Sequence, residues 1–409
     1  MRIAIAYSNR RKVGGIEAYL ARVMPELSRL GYTLAFWHEV EGPDYREQIG
    51  LPCGAPIWSV SDLGTERALA VLREWHPDLI YSHGLLDPKL ESEMLKVAPA
   101  VFFAHGYYGT CISGGKAFKY PVAKPCDRRF GWQCLLQYYP HRCGGLSPMT
   151  LFKLYNLQSK RLDNLHLYAC IVTHSDHMVN ECIKHGLPAE YAYTFSYHQD
   201  SEEKAIELRV PSAWRLLFSG RMDHLKGGSI FLEALPKIIK AIDLPLQVTF
   251  AGDGPERKRW EREADRIREL HREIKIEFTG WIDQHRMRSL LNDTDLIVVP
   301  SLWPEPFGLV GPEAGLMGVP AAAFAVGGIR DWLTDGVNGF LASGDPPTSE
   351  GLAEAIVKCL SDAAVHARLQ RGAAMMAGRF SLANHIGALQ RVFERVTGGH
   401  HAAAGLKQT

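Results

Sequence analysis

Two carboxylates, Glu305 and Glu313, stand eight positions apart in the run Trp303-Pro304-Glu305-Pro306-Phe307-Gly308-Leu309-Val310-Gly311-Pro312-Glu313. The apolar stretch Leu296-Ile297-Val298-Val299 just before it reads as a buried parallel strand, and Pro304, Pro306 and Gly308 forbid a helix until about Leu309. A helix starting there turns unpaired backbone N–H groups and a partial positive charge toward the strand's carboxyl end, where they attract phosphate. A glutamate beside them is suited to grip vicinal hydroxyls such as those of a ribose, so the pattern predicts a nucleotide ligand. Taken alone, Glu313 has an equal claim to complementing the helix dipole at the surface. A second stretch, Leu216-Leu217-Phe218-Ser219-Gly220-Arg221-Met222-Asp223-His224-Leu225-Lys226-Gly227-Gly228, repeats the layout of strand, glycine turn and helix start. It adds two cations, Arg221 and Lys226, so that two cations and two carboxylates converge on one sheet edge.

The elements that must position these groups alternate along the chain. Ile3 to Tyr7, Thr33 to Trp37, Leu79 to Ser82, Ala100 to Ala104 and Ala169 to Thr173 read as strands separated by helical stretches. That order means an α/β domain with helices on both faces of a parallel sheet. Its first helix shows Ile16, Tyr19, Leu20, Val23, Leu27 and Leu30 on one face, with Gly14-Gly15 at its start and Gly31 as its C-terminal cap. A second series follows, with strands at Arg215 to Phe218, Gln247 to Ala251, Ile276 to Thr279, Asp295 to Val299 and Ala321 to Phe324. The expected organisation is one doubly wound domain over residues 1–195, a linker over 196–213 without apolar periodicity and a second doubly wound domain over 214–380. Ser381 then caps a helix over 381–397 whose apolar face is Leu382, Ile386, Leu389, Phe393 and Val396, and 398–409 reads as a flexible tail. Ligands of open α/β sheets bind at the carboxyl ends of strands, so two such domains most simply face each other across a shared cleft.

A chain of 409 residues is long for one domain and comfortable for two. Its net charge of +1 with 22% charged residues provides no global field for nucleic acid, which is excluded as a partner. Met1-Arg2-Ile3-Ala4-Ile5-Ala6-Tyr7 is a strand turning polar at Ser8 rather than a leader peptide, and no apolar run reaches membrane-spanning length. The expectation is a cytoplasmic protein, with contact at the inner face of a membrane left open.

The motifs resemble the retaining family-four glycosyltransferases of GT-B architecture over nearly the whole chain. Gly220-Arg221 with Lys226-Gly227, Ala251-Gly252-Asp253-Gly254-Pro255, Gly280, Pro304-Glu305-Pro306-Phe307-Gly308 with Glu313, Gly318-Val319-Pro320, Gly327-Gly328 and Asn338-Gly339-Phe340 appear in the family's order. The resemblance implies two Rossmann-like domains, a nucleotide-diphosphate sugar as co-substrate on the second, and transfer to a glycan, a lipid-linked glycan or a small hydroxyl acceptor, as in polysaccharide biosynthesis. Glu313 would bind the ribose, Glu305 the hydroxyls of the transferred sugar, and the segment Phe307, Gly308 and Leu309 the donor. Arg221 and Lys226 would hold the diphosphate, where fixed cations stabilise the negative charge that develops as the anomeric bond breaks, and no catalytic metal is then needed. Gly15 would bring a backbone N–H to the same diphosphate. His105, ending the strand Val101-Phe102-Phe103-Ala104 before Gly106, matches the family's active-site histidine, with His83 a weaker candidate on the acceptor side. The same donor site also suits a sugar-phosphate or disaccharide synthase, or a non-catalytic nucleotide-sugar-binding scaffold. Two departures stand out: Arg330-Asp331 where the family often has a glutamate after Gly327-Gly328, and Tyr193-Thr194-Phe195-Ser196-Tyr197 where many members have Asn-Gly-Val-Asp.

An insert over about 106–165 holds Cys111, Cys126, Cys134 and Cys143, half of the chain's eight cysteines. Four cysteines in one loop suit a structural zinc ion, although no Cys-x-x-Cys pair is present and ordinary reduced thiols fit almost as well, with disulfides or redox switching a third reading. The insert also interleaves Lys116, Lys119, Lys124, Arg128, Arg129 and Arg142 with Phe118, Tyr120, Phe130, Trp132, Tyr138 and Tyr139. Solvated cations beside core aromatics account for that pattern; so does an anionic acceptor or a membrane surface carrying a lipid-linked one.

Overall fold

The computed structural model describes residues 1–11, 14–42, 47–192 and 212–405, except for the side chains from 399 onward. Its strands are β1 (Arg2–Asn9), β2 (Thr33–Val40), β3 (Ile57–Ser59), β4 (Leu79–Ser82), β5 (Ala100–Ala104), β6 (Ala117–Phe118), β7 (Lys124–Pro125), β8 (Cys170–Thr173) and β9 (Ala189–Tyr191) in the first half. The second half holds β10 (Trp214–Ser219), β11 (Leu246–Ala251), β12 (Lys275–Gly280), β13 (Leu296–Val299), β14 (Ala321–Phe324) and β15 (Gly339–Ala342).

Two parallel sheets result, ordered β3-β2-β1-β4-β5-β8-β9 and β12-β11-β10-β13-β14-β15. Each runs outward in one direction and then reverses beside its first strand, between β1 and β4 in one sheet and between β10 and β13 in the other. Such a reversal splays the following loops apart and opens a crevice at the strands' carboxyl ends. The runs foreseen as central strands are buried along nearly their whole length, as Leu296-Ile297-Val298-Val299 shows, because helices cover both faces. Of the four edge strands, β12 was foreseen over Ile276 to Thr279, and β3, β9 and β15 lack such runs. Most of their residues are partly buried or exposed, and nothing in their apolar pattern announces them.

The final helix, Leu382–Gly405, lies against the first domain. Ile386, Leu389, Val392 and Phe393 join the core formed by Ile3, Tyr19, Tyr81 and Phe103, with Phe393 edge-on to Tyr81 at 5.1 Å between ring centres. The helix runs past residue 397, where the sequence suggested a tail. Gly398-Gly399 reads locally as a break, but Ala402-Ala403-Ala404 are strong helix formers and carry the helix across it. The expected linker over 196–213 falls, apart from residues 212 and 213, outside the described residues.

Phe393→Ala should lower the unfolding free energy of the first domain by about 3–5 kcal/mol, the usual cost of an aromatic cavity. Urea unfolding followed by intrinsic fluorescence checks this; a change below about 1 kcal/mol would show that the final helix does not seal that core.

Candidate functional site

The loop after β10 and the loop after β13 are joined by an ion pair and by a backbone bond, Leu302 N donating to the Leu225 carbonyl at 2.7 Å. Lys226 Nζ donates to Glu305 Oε1 at 2.6 Å, and Ser301 Oγ donates to the same oxygen at 2.6 Å. The indole of Trp303 lies under the ammonium, 5.3 Å from ring centre to Nζ. Glu305 is 5% exposed, so its charge is compensated by these partners rather than by water. Both take Oε1.

Glycines fix the backbone on each side of the pair. Gly227 has φ +72°, and a Cβ there would lie 1.7 Å from the carbonyl oxygen of Pro300, so only glycine lets the Lys226 loop pack on the β13 loop. Gly327 has φ +55°, and a Cβ there would meet the Glu305 carbonyl at 2.3 Å. Gly328 N donates to that carbonyl at 2.7 Å, and Trp332 Nε1 donates to the Phe307 carbonyl at 2.7 Å. The first domain grips the same loop: Tyr107 OH donates to the Pro304 carbonyl at 2.6 Å, and Ser175 Oγ donates to the Pro306 carbonyl.

Around the pair opens a cleft of about 800 Å³, a volume suited to a nucleotide-sized ligand. Its wall includes Gly15, His105, Lys226, Glu305, Phe307, Gly308, Leu309 and Glu313, so the structure brings together the residues expected at the donor and reacting sugar, with Arg221 and the weaker candidate His83 outside the wall. Arg221 shares the loop of Lys226 but is exposed and off the cleft wall. Gly15 opens the helix Gly15–Arg29, and the turn before it is held by buried Glu17, which accepts from Gly14 N at 2.8 Å, Tyr7 OH at 2.9 Å and Asn9 Nδ2 at 3.1 Å. The helix carrying Glu313 is Val310–Leu316, starting within one residue of the position expected from the prolines.

His83 stands behind His105 rather than in the cleft wall. Its Nδ1 lies 2.9 Å from His105 Nε2, and its own Nε2 is buried without a partner among the described residues. An orphaned buried N–H is rarer than an orphaned acceptor, so we assign the proton of His83 to Nδ1, donating to His105 Nε2. His105 then carries its proton on Nδ1. Burial, reinforced by the neighbouring imidazoles, pushes His83 and His174 down to about 3 and His105 well below the usual histidine range, so all three are neutral. The helix after the second domain closes this cluster, with His385 Nε2 2.7 Å from Tyr19 OH.

Sequence reasoning missed His174, Trp281 and Trp303, all in the cleft wall. His174 directly follows β8 and Trp281 directly follows β12, so position at a strand end was the available signal. Trp281 is 82% exposed, a large flat ring at the cleft.

Asp331 does not line the cleft but sits where the domains meet. The backbone amides of Asp176 and His177, at the start of the helix Asp176–Lys184, bond to it, and its Oδ2 is sealed without a partner among the described residues. Burial, then the charge of Asp176, raises its carboxyl from 3.8 to about 6 despite those amides. The insert's basic and aromatic residues divide. Lys116 is 2% exposed and paired with buried Glu181, and Phe118, Phe130 and Tyr138 are core, whereas Tyr120, Trp132 and Tyr139 are exposed. Lys116 is thus removed from the expected basic surface, because a buried ammonium needs its carboxylate partner.

Residues 213–362 match the family described as glycosyl transferases group 1. Among curated relatives, D-inositol 3-phosphate glycosyltransferase 1 of Catenulispora acidiphila is 30% identical over 49% of this chain and 49% of its own length. Glycogen synthase of Mycobacterium tuberculosis is 32% identical over 39% of this chain and 36% of its own. The chain thus matches about half or less of the length of these relatives. Among solved structures, Anabaena HepE in complex with UDP superposes with a TM-score of 0.65 at 19% identity, over 97% of this chain and 100% of that one. Sucrose-phosphate synthase of Thermosynechococcus elongatus gives 0.66 at 17%, over 98% and 100%. The fold is therefore that of the GT-B glycosyltransferases. The match to the glycosyl transferases group 1 model is confined to residues 213–362, most of the second domain.

Two outcomes follow from the titrating groups. Because Asp331 binds its proton more tightly folded than unfolded, its contribution to stability is full below about pH 4 and is lost as pH rises toward 6. Thermal melting of Asp331→Asn should show a flatter pH dependence in that window than the parent; identical slopes would contradict the interface burial. Nitrogen-15 NMR of labelled histidine should show His105 neutral and protonated on Nδ1 at pH 6; an Nε2 proton would reverse the assignment.

Proposed function

We propose that the protein is a nucleotide-sugar-dependent glycosyltransferase acting with retention at the anomeric carbon. The observation that carries this reading is the meeting of Lys226 and Glu305 within a cleft also walled by His105 and Gly15. The diphosphate lies by the ammonium of Lys226 and the amide of Gly15, the ribose on Glu313, the transferred sugar against Glu305 and the segment Phe307 to Leu309, and the base against Trp281. When donor arrives, Lys226 exchanges part of its bond to Glu305 for the phosphate oxygens. Cleavage of the anomeric bond then puts negative charge beside a preset cation. A neutral His105 donates a hydrogen bond near the reacting sugar, and the acceptor's proton leaves to a donor phosphate oxygen on the same face. Arg221 would reach the diphosphate only by swinging in from solvent. The UDP in the HepE complex supports a nucleoside diphosphate as the leaving group.

The acceptor enters from the first domain. Trp132, Leu136, Leu146, Met149 and Phe152 are each more than half exposed within one insert that also carries Lys119, Arg128, Arg129, Arg142 and Lys153. Apolar side chains beside cations suit the surface of an anionic bilayer, which favours a lipid-linked acceptor. Among the described residues no helix is long and apolar enough to cross a membrane.

In a screen of nucleotide sugars, one donor should raise the melting temperature and be turned over. Lys226→Ala and Glu305→Ala should each lower kcat by about 10²–10³-fold, the usual loss for one preorganised charge-stabilising group. Binding of donor with no turnover across hydroxyl acceptors, and no donor hydrolysis, would contradict the transferase reading and favour a scaffold.

A further inference from the structure

Cys111, Cys126, Cys134 and Cys143 are spread over 33 residues of sequence, yet all four line one cavity of about 30 Å³. Several independent local structures converge to bring this about. Cys111 lies just before the turn that ends at Lys116. The hairpin of β6 and β7 returns the chain so that Cys126 N donates to the Lys116 carbonyl at 2.8 Å. Cys134 lies on the short helix Gln133–Gln137, and Cys143 N is tied to the Tyr138 carbonyl at 2.9 Å. None of the four forms a disulfide. The apolar cluster beneath them is small, formed by Ile112, Phe130, Tyr138 and Leu151. A segment of this length with so little core needs another source of order.

We infer that the four cysteines form a structural zinc site that staples the insert. Sulfur is the ligand set that thiolate-binding divalent cations select, and a cavity of this size holds a single ion. The surroundings fit the charge of a loaded site. Four thiolates around Zn²⁺ carry two net negative charges, and Lys116 and Arg128 line the same cavity. The Lys116 backbone N–H already donates to Cys111 Sγ at 3.2 Å, the kind of amide-to-sulfur bond that orients a metal-binding thiolate. Loading is written Zn²⁺ + 4 RSH → Zn(SR)₄²⁻ + 4 H⁺, with four protons released to solvent. Among the described residues no three His, Cys, Asp or Glu side chains already stand as a ligand set, so loading requires the four sulfurs to come closer together than they stand here.

The site also has a reason to exist. The insert leaves β5 immediately after His105 and Tyr107, and Tyr107 bonds the Pro304 carbonyl beside Glu305. Lys116, at the cavity edge, pairs with Glu181 on the helix behind the cleft, and Lys124 approaches Asp345 of the second domain at 3.7 Å. A cation that fixes the insert therefore steadies one wall of the domain boundary. It takes no part in bond breaking, and the inference does not depend on which sugar is moved or on whether any is.

The test uses the intact chain, produced in zinc-supplemented medium without an affinity tag and purified without chelators. Elemental analysis should find about one zinc per chain, and zinc-edge absorption should fit four sulfur neighbours at about 2.3 Å. Cys126→Ser and Cys134→Ser should each lose the zinc, whereas Cys53→Ser, altering an exposed cysteine outside the insert, should keep it. A parent chain free of zinc whose four thiols all react with a thiol reagent under native conditions would overturn the inference. So would mass spectrometry showing two disulfides among the four. Both of those readouts come from the parent chain, so a variant that fails to fold cannot obscure them.

Discussion

One ion pair organises the molecule. Lys226 and Glu305 come from the loops after β10 and β13, the adjacent strands at which the second sheet reverses, and their 2.6 Å contact holds two carboxyl-end loops together over an otherwise open crevice. A carboxylate this buried is tolerable only with its ammonium and the Ser301 hydroxyl in place. The pairing in turn depends on two close backbone approaches, at Gly227 over Pro300 and at Gly327 over Glu305, that no side chain would allow. Charge, glycine and strand order are a single constraint seen at three scales.

The first domain contributes a wall rather than a second charge. Its grip on the Glu305 loop runs through Tyr107 and Ser175, both hydroxyl donors to proline carbonyls. Proline suits this role, because it has no N–H to seek a partner elsewhere and its carbonyl remains available. His105 completes the wall as a neutral group in a cluster of imidazoles and tyrosines closed by the final helix. The element farthest along the chain is thus part of the floor beneath the earliest glycine turn, which explains why the final helix crosses back to the first domain.

Much of this was legible in the sequence for identifiable reasons. Central parallel strands are buried on both faces and appear as unbroken apolar runs, so Leu216-Leu217-Phe218 and Leu296-Ile297-Val298-Val299 were readable, and the glycine and proline spacing after each fixed where the loops fall. Lys226 and Glu305 could be picked because charged residues in such loops have no structural reason to cluster. Of the four edge strands, β3, β9 and β15 were not readable, since short, partly exposed strands carry no such signature, whereas the longer β12 was, through Ile276 to Thr279. Nor were His174 and Trp281, whose meaning comes only from the loops opposite them. Arg221 shows the reverse limit. Spacing places a cation in the right loop, but backbone direction decides whether it faces the cleft or solvent. Lys116 likewise reads as surface charge until its buried partner Glu181, 65 positions away, is known.

The central claim is that the Lys226–Glu305 pair receives the diphosphate and sugar of a nucleotide-sugar donor. A crystal structure of the chain with a bound nucleotide sugar tests it most directly. The account predicts the diphosphate within hydrogen-bond distance of Lys226 Nζ and the sugar hydroxyls on Glu305, with the two side chains drawn partly apart. A nucleotide bound elsewhere, or in this cleft with the Lys226–Glu305 bond intact and no phosphate contact to Lys226, would contradict it.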